Sequence, residues 1–266
     1  MRVVVVGMGK SGTTAMIYAI KSAMPADTQL IFEPAAFVRV EAANVAAKFL
    51  LNPLRTIEDE FFLQFSRKVL LVRDPRDVLI SRALYRVRAN EVMIGDRAKF
   101  DAYFRLLQMK EQSPASVSLT RINALFHELT GAPLHCDKGL TWGLDYAVAW
   151  HERFTSCMIY HYEQLIEGSF AVLGDYLSLD PKAMKPEVPS DLQRVVRSRR
   201  AGNWRDWFCP EDVEHYRPML LPYMQRYGYA DEWSLNPHPM IRQDECTGYI
   251  RRLIRDRNSA AGIPVP

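Results

Sequence analysis

Several features that often classify a chain early are missing here. The four cysteines, Cys136, Cys157, Cys209 and Cys246, lie far apart and form no CxxC pair. They indicate neither a zinc site nor a disulfide framework, and reduced structural thiols are expected. Nowhere do 18 apolar residues run without interruption, so no segment reads as a membrane-spanning helix. The apolar start Val3-Val4-Val5-Val6 is too short for a signal segment and is followed by no cleavage site, so a cytoplasmic protein is expected. Internal repeats and low-complexity stretches are absent. A dominant charge is absent too: 34 Lys and Arg against 31 Asp and Glu leave a net charge of +3. That excludes a general polyanion binder, and neither nucleic acid nor membrane insertion is expected.

What remains is an ordinary globular composition, 266 residues with 48% hydrophobic and 24% charged, enough for one large domain with a sizeable core. The basic residues are unevenly spread. Arg67, Lys68, Arg73, Arg76, Arg82, Arg86 and Arg88 fall in one stretch, and Arg194, Arg197, Arg199, Arg200 and Arg205 in another. Two local clusters in a near-neutral chain suit a compact anionic ligand; two solvated helix faces would give the same count.

Short apolar strands alternate with helices. Val3–Val6 reads as a buried strand, Thr13–Ala23 as a helix ending before Pro25, and Gln29–Phe32 as a strand closed by Glu33-Pro34. Asn44–Leu51 suits a strand or, by its alanines, a helix. Lys68–Val72 is a strand followed by a helix over Asp77–Arg88; Cys157–Tyr162 and Phe170–Leu177 repeat the pair. This predicts a three-layer, doubly wound α/β fold with a parallel sheet of P-loop nucleotide-binding type. A helical insertion over about 90–139 interrupts the alternation, with helical periodicity at Phe100–Met109 and Ser118–Leu129. It is expected over the carboxyl edge of the sheet, where such folds bind ligands. A polar tail over about 237–266 carries a short basic helix at Thr247–Arg257. A single domain over 1–266 is expected.

The first motif is Gly7-Met8-Gly9-Lys10-Ser11-Gly12-Thr13-Thr14, between a buried strand and a helix. Glycines allow a tight turn, so consecutive N–H groups point into one concavity at the positive end of a helix. Lys10 adds a cation, and Ser11, Thr13 and Thr14 add hydroxyl donors. A tight β–α turn without a ligand is the plainer alternative. The nucleotide-kinase pattern G-x-x-x-x-G-K-[ST] fails, because Val4 stands where its first glycine belongs.

Lys10-Ser11-Gly12-Thr13-Thr14 resembles the 5′-phosphosulfate loop K-S-G-T-T of the sulfotransferases that use 3′-phosphoadenosine 5′-phosphosulfate (PAPS). Three further segments carry the same resemblance. Arg73-Asp74-Pro75-Arg76-Asp77-Val78-Leu79-Ile80-Ser81 is similar to the family's R-x-P-[KR]-D-x-x-x-S, in which the first Arg and the Ser hold the 3′-phosphate. The stretch Arg197 to Phe208 is similar to R-K-G-x-x-G-D-W-K-x-x-F, matching at Arg197, Gly202, Trp204 and Phe208. Ser198 and Arg199 replace the family's Lys and inner Gly, which leaves open which of Arg197, Arg199 and Arg200 meets the cofactor. Tyr162-Glu163-Gln164-Leu165 is like Y-E-D-L, whose tyrosine lies near the adenine.

The resemblance implies a cofactor site of Gly9, Lys10, Ser11, Gly12, Thr13, Thr14, Arg73, Ser81, Tyr162, Arg197, Arg199, Arg200 and Gly202, with PAPS as donor, 3′,5′-ADP as product and no metal. It implies an acceptor hydroxyl on a carbohydrate or small molecule. Much of the family carries K-T-H-L-P with His as base. Here Lys48-Phe49-Leu50-Leu51-Asn52-Pro53 keeps the Lys and puts Leu50 at the His position. Another branch uses a Glu within F-E-P, so Phe32-Glu33-Pro34 makes Glu33 the expected base, with Lys10 and Lys48 as catalytic partners. Phe32 and Pro34 are expected to surround that carboxylate with apolar surface; pairing with Lys10 or Lys48 is the alternative. His127, His135, Asp59 and Glu60 stand as substitutes. The rival classes are a small-molecule kinase using ATP and a non-catalytic nucleotide-binding protein on the same scaffold.

Overall fold

The computed structural model describes residues 1–51, 57–132 and 140–261, and they divide into two compact units. The first comprises Met1–Arg73 and Trp142–Pro189, the second Asp74–Thr141 and Ser190–Pro266.

The first unit is a five-stranded parallel sheet. β1 (Arg2–Met8), β2 (Gln29–Phe32), β3 (Val45–Leu51), β4 (Arg67–Val72) and β5 (Met158–His161) are ordered β2-β3-β1-β4-β5. β1 is central, and its valines are fully buried, which is why that strand reads as an unbroken apolar run rather than an alternation. β3 resolves the ambiguity at Asn44–Leu51. Its small alanines, Ala46 and Ala47, are fully buried in register with Val3 and Val4 of β1, a crowding that favours sheet over their helical propensity.

Side-chain alternation gives the sheet two apolar faces. Val3, Val5, Ala46 and Leu71 pack against Ile17 and Ile20 of α1 (Thr13–Ala23), Leu165 of α8 (Tyr162–Glu167) and Leu173 of α9 (Ala171–Leu177). On the other face Phe49 meets Phe61 and Phe62 of α2 (Asp59–Leu63), and Phe62 meets Trp150 of α7 (Leu140–Arg153). Helices on both faces make three layers. The chain runs from β1 outward to β2, back to β3, then across β1 to β4. The carboxyl end of β1 is therefore the switch point where such sheets take ligands.

The second unit is helical: α3 (Pro75–Tyr85), α4 (Glu91–Gly95), α5 (Arg97–Gln112), α6 (Leu119–Thr130), α10 (Trp204–Trp207), α11 (Pro210–Arg226) and α12 (Thr247–Ala261). α3 starts two residues before the Asp77 expected from sequence. Asp74 caps it by accepting from the Arg76 N–H at 3.0 Å, with Pro75 in the first turn, a pairing suited to a helix start. α5 and α6 fall where the periodicity of the insertion puts them. α12 extends four residues beyond the short basic helix read from the tail.

Candidate active site

The turn after β1 is shaped by close approach. A Cβ on Gly7 would stand 2.8 Å from the Leu71 carbonyl, Ser11 Oγ and Thr13 Cγ2. Lys10 has φ 75° and Gly12 φ 97°, left-handed conformations that are costly for lysine and free for glycine. At Gly12 a Cβ would also stand 2.5 Å from the Tyr162 ring. Ser11 closes the turn by donating its N–H (3.1 Å) and its Oγ (2.8 Å) to the Met8 carbonyl. Gly12 then caps α1 with no side-chain acceptor, and no acidic residue stands in the first turn. A helix start without its own acceptor or carboxylate presents backbone N–H groups and positive dipole to an anion. Around Gly9 the space is open, with nothing within 4 Å of where a Cβ would sit.

Arg73 reaches this turn from the end of β4. Its Nη1 donates to the Lys10 carbonyl at 3.0 Å, and its guanidinium lies 4.0 Å from the Tyr162 ring centroid. Loop, Arg73 and Tyr162 therefore form one assembly, although 63 and 152 residues separate the latter two from Lys10 in sequence.

Lys48 and Glu33 come from neighbouring strands. The Glu33 N–H donates to the Lys48 carbonyl at 2.9 Å, continuing the β2–β3 ladder by one rung. Lys48 is 3% exposed; its Nζ donates to Glu33 Oε1 at 2.5 Å and to Thr14 Oγ1 at 2.8 Å. It also lies 4.2 Å from the Phe32 ring centroid. Thus the Glu33 carboxylate is tied through Lys48 to the start of α1, which is the alternative pairing with Lys48 rather than the expected apolar surroundings. Phe32 does not wrap Glu33 in apolar surface as expected: it is exposed and its ring meets the lysine. Glu33 has φ 49°, a strained setting for a residue with a Cβ, of the kind that clusters at functional positions.

Of the substitute bases, Asp59 is paired with Arg153 at 2.7 Å, and His127 Nδ1 stands 2.6 Å from the Ala132 carbonyl. His135, and Asn52-Pro53 of the Lys48 segment, lie outside the described residues.

In the helical unit Asp77, fully buried, accepts from the N–H groups of Gly202 at 2.8 Å and Trp204 at 3.0 Å. That carboxylate, invisible in a motif read for its arginines, joins α3 to the Arg197–Phe208 segment. Arg76 is structural: it forks onto Asp74 and stacks 3.9 Å from the Trp204 ring centroid. Ser81 is buried in α3. The three arginines left open by the sequence have different settings. Arg200 pairs with Glu245 at 2.5 Å. Arg197 is buried, 6.0 Å from the Trp207 ring centroid. Arg199 is exposed and lines a cleft. The Gly202 N–H is taken by Asp77, so that residue serves the turn, at φ 73°.

No protein-family model and no curated protein matches the chain. Solved structures do. The mouse sulfotransferase SULT7A1 complexed with PAP is similar over 84% of each chain, at 16% identity and a TM-score of 0.53. The fold is that of the PAPS-dependent sulfotransferases. A retinol dehydratase in complex with androsterone and the inactive cofactor PAP is similar over 88% of this chain and 82% of its own, at 16% identity and a TM-score of 0.47. On this sulfotransferase fold the turn after β1, Arg73 and Tyr162 occupy one corner of the sheet unit, and Asp77 and the three arginines belong to the helical unit. Among the described residues no helix is long and apolar enough to cross a membrane.

Proposed function

We propose that this protein is a sulfotransferase that moves the sulfonate of PAPS onto a hydroxyl of a carbohydrate or small molecule and releases 3′,5′-ADP. The observation that carries the reading is the turn at Lys10–Thr14. It is an uncapped helix start with two left-handed residues, flanked by an arginine stacked on Tyr162. Residues and donor are compatible: backbone N–H groups suit a 5′-phosphate, and a planar guanidinium suits a phosphate monoester. Gly9–Thr14 hold the 5′ end, Arg73, Ser81 and Arg197 the 3′-phosphate, and Tyr162 the adenine side. PAP, seen with the similar mouse structure, is 3′,5′-ADP.

The acceptor oxygen attacks sulfur as the bond from sulfur to the phosphate oxygen breaks. Glu33 takes the acceptor's proton, and Lys10 offsets the charge that develops on the leaving oxygen. Lys48 orients Glu33, as its bonds to Oε1 and to Thr14 indicate.

The first test compares nucleotides. Thermal shift and titration calorimetry should show 3′,5′-ADP stabilising the protein more than AMP, with affinities apart by about tenfold to a thousandfold, because paired contacts to a desolvated charge cost roughly 2–5 kcal/mol to lose. Equal binding of the two removes the 3′-phosphate assignment, and a preference for ATP with magnesium assigns the loop to a kinase. Labelled PAPS then screens acceptors.

A further inference from the structure

The motifs of the phosphate site end at Phe208, but basic residues continue in α12. Tyr249, Ile250, Leu253 and Ile254 bury one face of that helix. Its arginines differ in their surroundings. Arg251 stacks 4.8 Å from the Phe104 ring centroid, and Arg257 forks onto Glu91 at 2.6 and 2.7 Å. Arg255 points outward, its side chain 64% exposed.

Arg252 stands at the edge of the buried face. Its Nη1 donates to the Asp244 carbonyl at 3.1 Å, and its guanidinium lies 5.5 Å from the Tyr249 ring centroid. The Asp244 carboxylate itself is forked by Arg242. Arg252 and Arg199 line one cleft of about 390 Å³ together with Ser190, Gln193, Val196 and Asp256, and neither arginine has an ion-pair partner among the described residues. Arg88 belongs to the same neighbourhood: its Nε is buried without a hydrogen-bond partner among the described residues. Burial pushes the Tyr249 phenol well up, with Tyr85 adding to the rise, while Arg197, Arg252 and Arg88 act in the opposite sense. Three guanidinium groups act on one buried ring, and Arg252, the one of them that lines the cleft, stands there with Arg199, neither in an ion pair among the described residues, a setting for a compact anion. The opposing charge in the cleft is Asp256, 3.9 Å from Arg255.

We propose that α12 completes the phosphate site, with Arg252 and Arg88 joining Arg197 and Arg199 in holding the 3′-phosphate of the donor. This rests on the sulfotransferase reading, and the experiment separates the two. Calorimetry on the full chain measures 3′,5′-ADP and AMP against wild type, Arg252→Gln, Arg252→Lys and Arg255→Gln.

Wild type binds 3′,5′-ADP the more tightly. Arg252→Gln loses about tenfold to a hundredfold for 3′,5′-ADP and nothing for AMP, since a charged hydrogen bond goes only to the 3′-phosphate. Arg252→Lys recovers part of the loss, and Arg255→Gln keeps the wild-type gap. Arg199→Gln, an exposed position, repeats the comparison if Arg252→Gln melts early. A wild-type gap that persists in both Arg252→Gln and Arg199→Gln overturns the inference alone. Equal weakening of both nucleotides also overturns it and leaves α12 as scaffold. A wild type that does not distinguish the nucleotides overturns the sulfotransferase reading first and this inference with it.

Discussion

The sheet unit and the helical unit present positive charge by different means. In the sheet unit the work falls on the backbone: a central strand delivers the chain to a turn held by Ser11, Lys10 and Gly12 take left-handed conformations, and α1 starts without a capping side chain. Little of this depends on a charged side chain. In the helical unit arginines dominate, and several are already committed to carboxylates. Arg76 is held by Asp74, Arg200 by Glu245, Arg205 by Glu232, Arg217 by Asp231 and Arg257 by Glu91. The lesson is that counting arginines overstates what the unit can offer an anion. The informative ones are those that line a cleft and stand outside the ion pairs among the described residues, Arg199 and Arg252. A backbone site tolerates surface charge changes, whereas a guanidinium site is only as good as the carboxylates that orient its loop.

The strongest challenge to this contrast is a side chain in the sheet unit with a large effect of its own. Glu33→Gln keeps shape and removes basicity. Turnover with an alcohol acceptor should fall by roughly 10²–10⁴, while 3′,5′-ADP affinity, which depends on the turn, stays within about twofold. Single-turnover assays with labelled PAPS read the first quantity and calorimetry the second. A near-normal rate moves the base elsewhere and leaves Glu33 as the partner that fixes Lys48; His135→Ala is then the next variant to assay.

The second test strikes the helical unit at its anchor. Asp77→Ala leaves the Gly202 and Trp204 N–H groups without their acceptor in a buried setting, at a cost of about 2–5 kcal/mol. For a chain of this size that lowers the melting temperature by roughly 5–15 °C. Asp77→Asn, which keeps one acceptor oxygen, should lose about half as much. An unchanged melting temperature would show that the Arg197–Phe208 segment holds its shape without α3, and would end the claim that carboxylates organise this side.

How much of this the sequence disclosed follows the same division. Local chemistry was legible: the strand Val3–Val6, the glycine turn and the helix from Thr13 are consecutive, so strand, turn and cap can be read in one window. The β3 segment stayed open between strand and helix because alanine has no strong period, and only its register against β1 decides it. Long-range partners were not legible. Nothing near Asp77 announces that it accepts from Gly202 and Trp204, 125 and 127 residues on, and F-E-P leaves Glu33 open between apolar surroundings and a pairing with Lys10 or Lys48, of which the structure shows Lys48. α11 escaped the periodicity reading for a related reason: Pro218 and Pro222 lie inside it, a pattern that taken alone argues for a break. The basic helix of the tail was visible, but the part played by Arg252 needs the cleft it lines.

The smallest expected effect concerns pH and the thiols, and it asks whether the sheet unit is as insensitive to titration as its backbone site suggests. Burial pushes the Cys157 thiol up to about 11, against a small opposing pull from Lys68, and burial pushes the Tyr160 phenol up to about 12. Both pKa values are raised on folding, so between the unfolded and folded values the native state binds more protons than the unfolded chain. Stability contributed this way is fully present below about pH 9 for Cys157 and below about pH 10 for Tyr160, and is lost as pH rises through the folded values. For Cys157 the loss is about 1–2 kcal/mol after screening by water at its edge. Lys68 acts in the other direction: burial lowers its pKa, so it favours the folded state increasingly as pH rises toward 10.5, which trims the slope without reversing it. Denaturant midpoints measured from pH 8 to pH 11 should therefore fall, and Cys157→Ala should flatten the decline between pH 9 and 11 while costing a little stability at pH 8 from the lost packing. If both Cys157→Ala and Tyr160→Phe decline as steeply as wild type, the alkaline loss belongs to the helical unit, where burial also raises Cys246 and Tyr249. The two units would then differ in pH sensitivity as they do in charge.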